Sequence, residues 1–194
     1  MRVPYRWLLA AAALLLATSA GAQMTLSGVK FDETTDVRGA KAQLNGAGIR
    51  YKAIFKVYAA GLYLPKKAGT PEEALSVTGA KRISITMLRE IDTGELGKLF
   101  TRGVEDNMDK AAFSKIIPGV IRMSQIFSDF KKLNAGDNFM IDWVPGTGTV
   151  ITVKGVAQGE PFKEPEFFNA LLRIWLGPSP ADWKLKEALL GHPA

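Results

Sequence analysis

Hydrophobic positions along this chain follow two different periods, and the change between them divides it into elements. Met24 to Phe31 has the composition of a short strand, and charged and turn residues follow from Asp32 to Arg38. Leu44 to Leu64, LNGAGIRYKAIFKVYAAGLYL, is rich in Ile, Val, Phe and Tyr, which favour strands. Its odd positions from Ile49 to Tyr63 form a nearly unbroken apolar row. Thr70-Pro71-Glu72-Glu73 is a helix start, with a cap, a proline at the first position and acids in the first turn; that short helix ends near Gly79. Lys81 to Leu88 is a strand with Ile83, Ile85 and Met87 on one face.

From Thr93 the period lengthens to three and four. Leu96, Leu99, Phe100, Val104 and Met108 predict a helix over 93–112, and Ile116, Val120, Met123 and Phe127 predict a second over about 115–133. On that reading Pro118 falls in a first turn, where its missing N–H costs little. Alternation resumes at Asn138 to Val144, with Phe139, Ile141 and Trp143 on one face. Pro145-Gly146-Thr147-Gly148 then turns the chain into a partner strand over 149–154, and 155–159 reverses it again. Glu164 to Leu176 is an amphipathic helix that ends at Gly177-Pro178, and Ser179 to Asp182 opens a last helix that closes at Leu190-Gly191. Strands and helices cluster rather than alternate, which indicates one α+β domain: an antiparallel sheet with helices over one face.

One residue does not fit the apolar run. Arg50 stands near the middle of Leu44 to Leu64, and no aspartate or glutamate lies in that stretch to pair with it. A guanidinium keeps its charge at any ordinary pH, so an inward Arg50 needs an anionic or strongly polar partner. Either it anchors a ligand, or it is an exposed strand cation.

The first 22 residues read as a cleavable signal peptide. Arg2 and Arg6 are basic, 7–17 is apolar, and Ala20-Gly21-Ala22 is a small-x-small cleavage pattern. The apolar run is too short for a membrane span, which takes about 20 residues. A cut after Ala22 leaves 172 residues (194 − 22) in a domain running over 23–194, and a periplasmic or secreted location. The formal charge then falls from +6 to +4, as two arginines leave. The remaining basic residues are scattered as pairs, so nucleic-acid binding is not expected. There is no cysteine, which excludes thiol chemistry and disulfides, and the single histidine, His192, is third from the end. A Ser-His-Asp triad and a multi-histidine metal site are therefore not expected, and neither is a metal or other cofactor.

Three segments together resemble the chalcone isomerase-like superfamily. Gly46 to Leu64, GAGIRYKAIFKVYAAGLYL, is similar to the family's Gly-Gly-x-Gly-x-Arg segment and the Lys-Phe-x-Ala-x-Gly-x-Tyr-Leu strand after it. Thr93 to Met108 is similar to a family helix that ends in an asparagine. Ile174 to Gly191, IWLGPSPADWKLKEALLG, is similar to its closing Ile-x-Leu-Gly-x-x-Pro segment. The nearest likeness is to the bacterial exported group. The resemblance implies an open-faced β-sandwich, with a cleft between the sheet and the helices. It also implies a choice, because the superfamily includes flavonoid-forming isomerases, non-catalytic helpers and fatty-acid-binding proteins.

Carried over residue by residue, Arg50 matches the isomerases' arginine and Asn107 their asparagine. Tyr58 stands at the place of a threonine, Phe100 at the place of a tyrosine, and Ile174 at that of a late hydroxyl residue. Phe100 and Ile174 have no donor, and a site that stabilises developing charge loses rate by orders of magnitude without its donors. Chalcone cyclisation is therefore disfavoured. The fatty-acid-binding branch pairs an arginine with a tyrosine on a carboxylate. Arg50 and Tyr58 are eight residues apart, about 26 Å along one straight strand. A hairpin centred near Ile54 would instead make them cross-strand neighbours. The leading expectation is thus a non-catalytic, monomeric carrier of a fatty acid or similar amphipathic carboxylate, with Arg50, Tyr58, Phe100, Asn107 and Ile174 at the ligand. The alternatives are an isomerase or intramolecular lyase acting on another substrate through Arg50 and Asn107, and a structural or interaction protein without a ligand.

Overall fold

The structure is a computed structural model that describes residues 23–193; the signal segment and its cleavage point lie outside the described residues. The sheet is built by hairpins. Strands β1 (Met24–Leu26) and β2 (Val29–Phe31) pair across Ser27-Gly28, both with positive φ, so the stretch read as one strand is a small hairpin. β3 (Thr34–Val37) and β4 (Ala40–Lys52) repeat the device across Arg38-Gly39. Positive φ at both central residues makes these the tight turns that match strand twist. The segment 32–38, read as irregular, therefore contains a strand; its Thr-Thr-Asp composition hides it.

β4 and β5 (Phe55–Leu64) form a long hairpin that closes at Lys52↔Phe55, so the turn is Ala53-Ile54 and Arg50 lies directly opposite Tyr58. A bulge between Arg50 and Tyr51 places Val57 as an extra residue there. β6 (Lys81–Met87), β9 (Asn138–Val144), β10 (Gly148–Val153) and β11 (Val156–Ala157) complete an antiparallel sheet of seven strands in the order β11-β10-β9-β6-β5-β4-β3. A two-residue pair, β7 (Ile91–Asp92) with β8 (Lys132–Leu133), brackets the two central helices.

Five helices accompany these strands. α1 (Pro71–Ser76) has a full capping box between Thr70 and Glu73. α2 (Thr93–Glu105) and α3 (Lys110–Ser128) are capped by Asp92 and Asp109, which accept the Glu95 and Ala112 N–H groups. α3 thus starts earlier than its apolar period indicates, because the Asp109 cap decides the boundary. Pro118 consequently lies inside the helix rather than in its first turn. It precedes Gly119, where an added Cβ would sit 2.8 Å from the Phe167 ring, so α3 packs closely on that ring just after the proline. α4 (Pro165–Leu176) and α5 (Trp183–Leu189) close the chain. Among the described residues, no helix is long and apolar enough to cross a membrane.

Both faces of the central strands are buried, in two unequal cores. Even positions of β5 (Tyr58, Ala60, Leu62, Leu64) join Ile83, Ile85, Phe139, Ile141 and the inward faces of α2, α3 and α4 in the main core. Odd positions (Ala59, Tyr63) face a smaller core roofed by Phe31, Val37 and Leu44. The apolar row of odd positions is therefore not the principal face; the N-terminal hairpin covers it, with Phe31 lying against Gly61. On the inner face Gly46 and Gly48 let α5 rest on β4. A Cβ at Gly46 would sit 2.0 Å from the Ala188 carbonyl oxygen.

Candidate functional site

The β4–β5 hairpin sets the first two side chains of the site. The cross-strand pair Arg50↔Tyr58 points both toward the helices, and the guanidinium carbon lies 5.7 Å from the Tyr58 ring centroid. Tyr58 is buried, and its hydroxyl oxygen accepts a hydrogen bond from Trp175 Nε1 at 2.8 Å. Because the indole supplies that proton, the phenol's own proton is free to be donated elsewhere. Burial pushes the Tyr58 phenol up to about 12, against the opposing pull of Arg50 and of the Trp175 N–H. The phenol therefore stays a donor through the neutral range.

Arg50 is half-buried, and its Nε is buried with no hydrogen-bond partner among the described residues. Among the described residues no carboxylate forms an ion pair with its guanidinium. A stranded buried donor on a charged group costs about 1–3 kcal/mol or more, so the group is set to receive a polar atom. Two cavities meet at this side chain. One, of about 210 Å³, is walled by Leu96, Leu99, Phe100, Phe139, Ile174 and Trp175, with Ser179 to Ala181 at its edge. The other, of about 260 Å³, shares Arg50, Ile91 and Leu99 but carries Lys52, Arg89, Glu90, Asp92 and Glu95. Arg50 thus stands at the boundary between an apolar cleft and a polar vestibule. Aromatic packing closes the apolar end: Phe100 stacks on Phe127 at 5.3 Å and meets Phe139 and Trp175 edge-on at 5.7 and 5.9 Å.

Of the five residues expected at a ligand, the structure brings four to the cleft: Arg50, Tyr58, Phe100 and Ile174. Asn107 is not among the lining residues. It is buried, its Nδ2 donates to the Gly103 and Ser179 carbonyls at 2.8 and 2.9 Å, and its Oδ1 accepts the Ser179 N–H at 2.8 Å. With its amide committed to backbone, it holds the loop after α4 against the end of α2 and leaves no group for a ligand. Trp175 also lines the cleft, and the sequence reading of the Glu164 to Leu176 helix gave it no site role. A buried indole N–H needs an acceptor, and that requirement was the available signal. Arg102 and Asp106 line the end of the cleft toward the C-terminus of α2. Lys56, close to Tyr58 in sequence, points away and bonds Ser27 Oγ at 2.9 Å. His192 pairs with Glu187 at the surface. Among the described residues no group of three or more metal-ligating side chains converges.

The sequence model described as chalcone isomerase-like matches residues 23–191. No individually curated protein sequence matches the chain. Among solved structures, the crystal structure of a fatty-acid binding protein from Arabidopsis thaliana superposes with a TM-score of 0.71 at 16% identity, covering 87% of this chain and 96% of that one. At that identity the likeness shows a shared fold.

Proposed function

We propose, from the premise that the chain belongs to the chalcone isomerase-like family, that it is a non-catalytic binding protein for a fatty acid or similar amphipathic carboxylate. The observation that carries this reading is the unpartnered, buried Arg50 Nε beside the Tyr58 hydroxyl, at the junction of an apolar and a polar cavity. A carboxylate there would accept from the guanidinium fork and from the phenol. The acyl chain would lie along Leu96, Leu99, Phe100 and Ile174, and the vestibule would keep the head group hydrated. Phe100 and Ile174 offer no proton or hydrogen bond to a reacting carbonyl, which favours binding over isomerisation. The shared fold of the Arabidopsis fatty-acid binding protein supports the reading. We further propose that the protein is exported to a periplasmic or secreted location, for which the basic and apolar N-terminal segment is the support.

Native mass spectrometry after gentle purification tests the function. A co-purifying lipid acid in the wild type that is lost in Arg50→Ala supports it. No lipid, together with unchanged fatty-acid affinity in Arg50→Ala, refutes it.

A further inference from the structure

The tip of the β4–β5 hairpin is built against the ordinary rules for a turn in water. All six residues from Tyr51 to Lys56 are exposed. The turn itself is Ala53-Ile54, with Ala53 at φ 55°, where Asn or Gly is the usual choice. Ile54 is 84% exposed, Phe55 56% and Tyr51 40%. A fourth large apolar side chain stands beside them. The Tyr51 N–H donates to Asp182 Oδ2 at 2.9 Å, and the next residue, Trp183, is 61% exposed. Half of the eight exposed large hydrophobic side chains among the described residues therefore gather at this end of the molecule.

Exposed cations stand around them, with Asp182 and Glu95 as nearby acids. Lys52 and Lys56 are on the hairpin, Arg89 lies 5.3 Å from the Phe55 ring centroid, and Lys184 is exposed one residue after Trp183. Among the described residues only Lys52 of these pairs with an acid, a loose 3.7 Å contact with the exposed Glu95. The patch also adjoins the cleft. Arg50, Lys52 and Arg89 line the polar vestibule, while Pro180 and Ala181, just before Asp182, edge the apolar cavity.

We infer that this tip is a docking surface for a bilayer rich in anionic lipid. Ile54 and Phe55 enter the acyl boundary, Tyr51 and Trp183 sit at head-group level, and the lysines and Arg89 face lipid phosphates. Charge selects the occupant, because a purely apolar partner would gain nothing from cations placed around the apolar residues. The arrangement opens the Arg50 cleft toward the surface in which amphipathic acids are dissolved. The inference stands on the exposed tip and not on the identity of the cargo.

Co-sedimentation of the purified protein with vesicles tests it. Binding is expected to vesicles of phosphatidylglycerol and phosphatidylcholine mixed, with little to phosphatidylcholine alone, and raised salt should weaken it several-fold. The double variant Ile54→Ser, Phe55→Ser should lower the partition coefficient at least about tenfold. Arg89→Gln should lower it several-fold on the anionic vesicles alone. Both changes are at exposed positions, so circular dichroism should be unchanged and fatty-acid affinity in solution serves as a separate readout. Absence of binding to anionic vesicles, or binding that the double variant leaves intact, overturns the inference. So does a concentration-dependent dimer that the double variant abolishes without any vesicle binding, since the patch would then be a self-interface. Absence of fatty-acid binding in the wild type itself would count against the proposed cargo, while vesicle binding alone decides docking.

Discussion

Replacing Asn107 by alanine separates a structural role from a ligand role. The amide makes three hydrogen bonds to backbone, two donated at 2.8 and 2.9 Å and one accepted at 2.8 Å, in a site only 6% exposed. Truncation deletes all three and strands the Ser179 N–H. At about 1 kcal/mol net per bond, with a further penalty for the stranded donor, the loss is about 2–4 kcal/mol. With a urea m-value of about 2 kcal/mol/M, the unfolding midpoint should fall by about 1–2 M. Asn107→Asp should be no better, because it would aim a carboxylate oxygen at the Gly103 and Ser179 carbonyls. Equilibrium urea unfolding followed by circular dichroism is the assay, with fatty-acid affinity measured in parallel under native conditions. A midpoint shift below about 0.25 M, combined with lost ligand binding, would refute the reasoning and return Asn107 to the ligand site.

Other outcomes follow from the same packing. The Tyr58 phenol has a folded pKa raised from 10.0 to about 12, so its contribution to stability is complete below about pH 10 and is lost as pH rises toward 12; Tyr58→Phe should flatten that alkaline loss, as seen in pH-dependent urea midpoints. The same variant leaves the buried Trp175 N–H without an acceptor and should cost about 1–3 kcal/mol near neutral pH. Asp142→Asn should cost about 3–5 kcal/mol, since the buried carboxylate receives Arg82 through two contacts of 2.7 and 2.8 Å on the outer sheet face; thermal unfolding reads this directly. Gly48→Val should cost about 1–3 kcal/mol, because its Cβ would meet Ala188 Cβ at 2.7 Å and Leu185 Cδ1 at 3.0 Å and push α5 off β4. Faster amide exchange confined to α5 would mark that cause.

Legibility in the sequence tracked how local the determining physics is. β6 and β9 were readable because Ile83, Ile85, Met87 and Phe139, Ile141, Trp143 alternate against one core. The Arg50–Tyr58 pairing was expected only on the strength of a family resemblance, since Ala53-Ile54 lacks turn chemistry; the structure supplies the register. β3 was hidden by its polar composition, and the α2–α3 boundary by apolar periods that run through 106–109, where the Asp109 cap and the buried Asn107 decide the break. The apolar row at odd positions of β5 did not by itself tell the main core from the smaller one, because a strand buried on both sides carries apolar residues at both parities. Trp175 and the Asn107 lock depend on contacts between segments about 117 and 72 residues apart, which no local pattern carries.

The central claim is that the Arg50 guanidinium receives an anionic head group while the tail occupies the apolar cleft. Titration calorimetry of the wild type and Arg50→Ala with laurate and with methyl laurate tests it most directly. The charge-assisted bonds should be worth about 1.5–3 kcal/mol. The account therefore predicts that Arg50→Ala weakens laurate binding about 10- to 100-fold and leaves the weaker binding of the ester unchanged. Equal losses for acid and ester, or no loss for either, would contradict it.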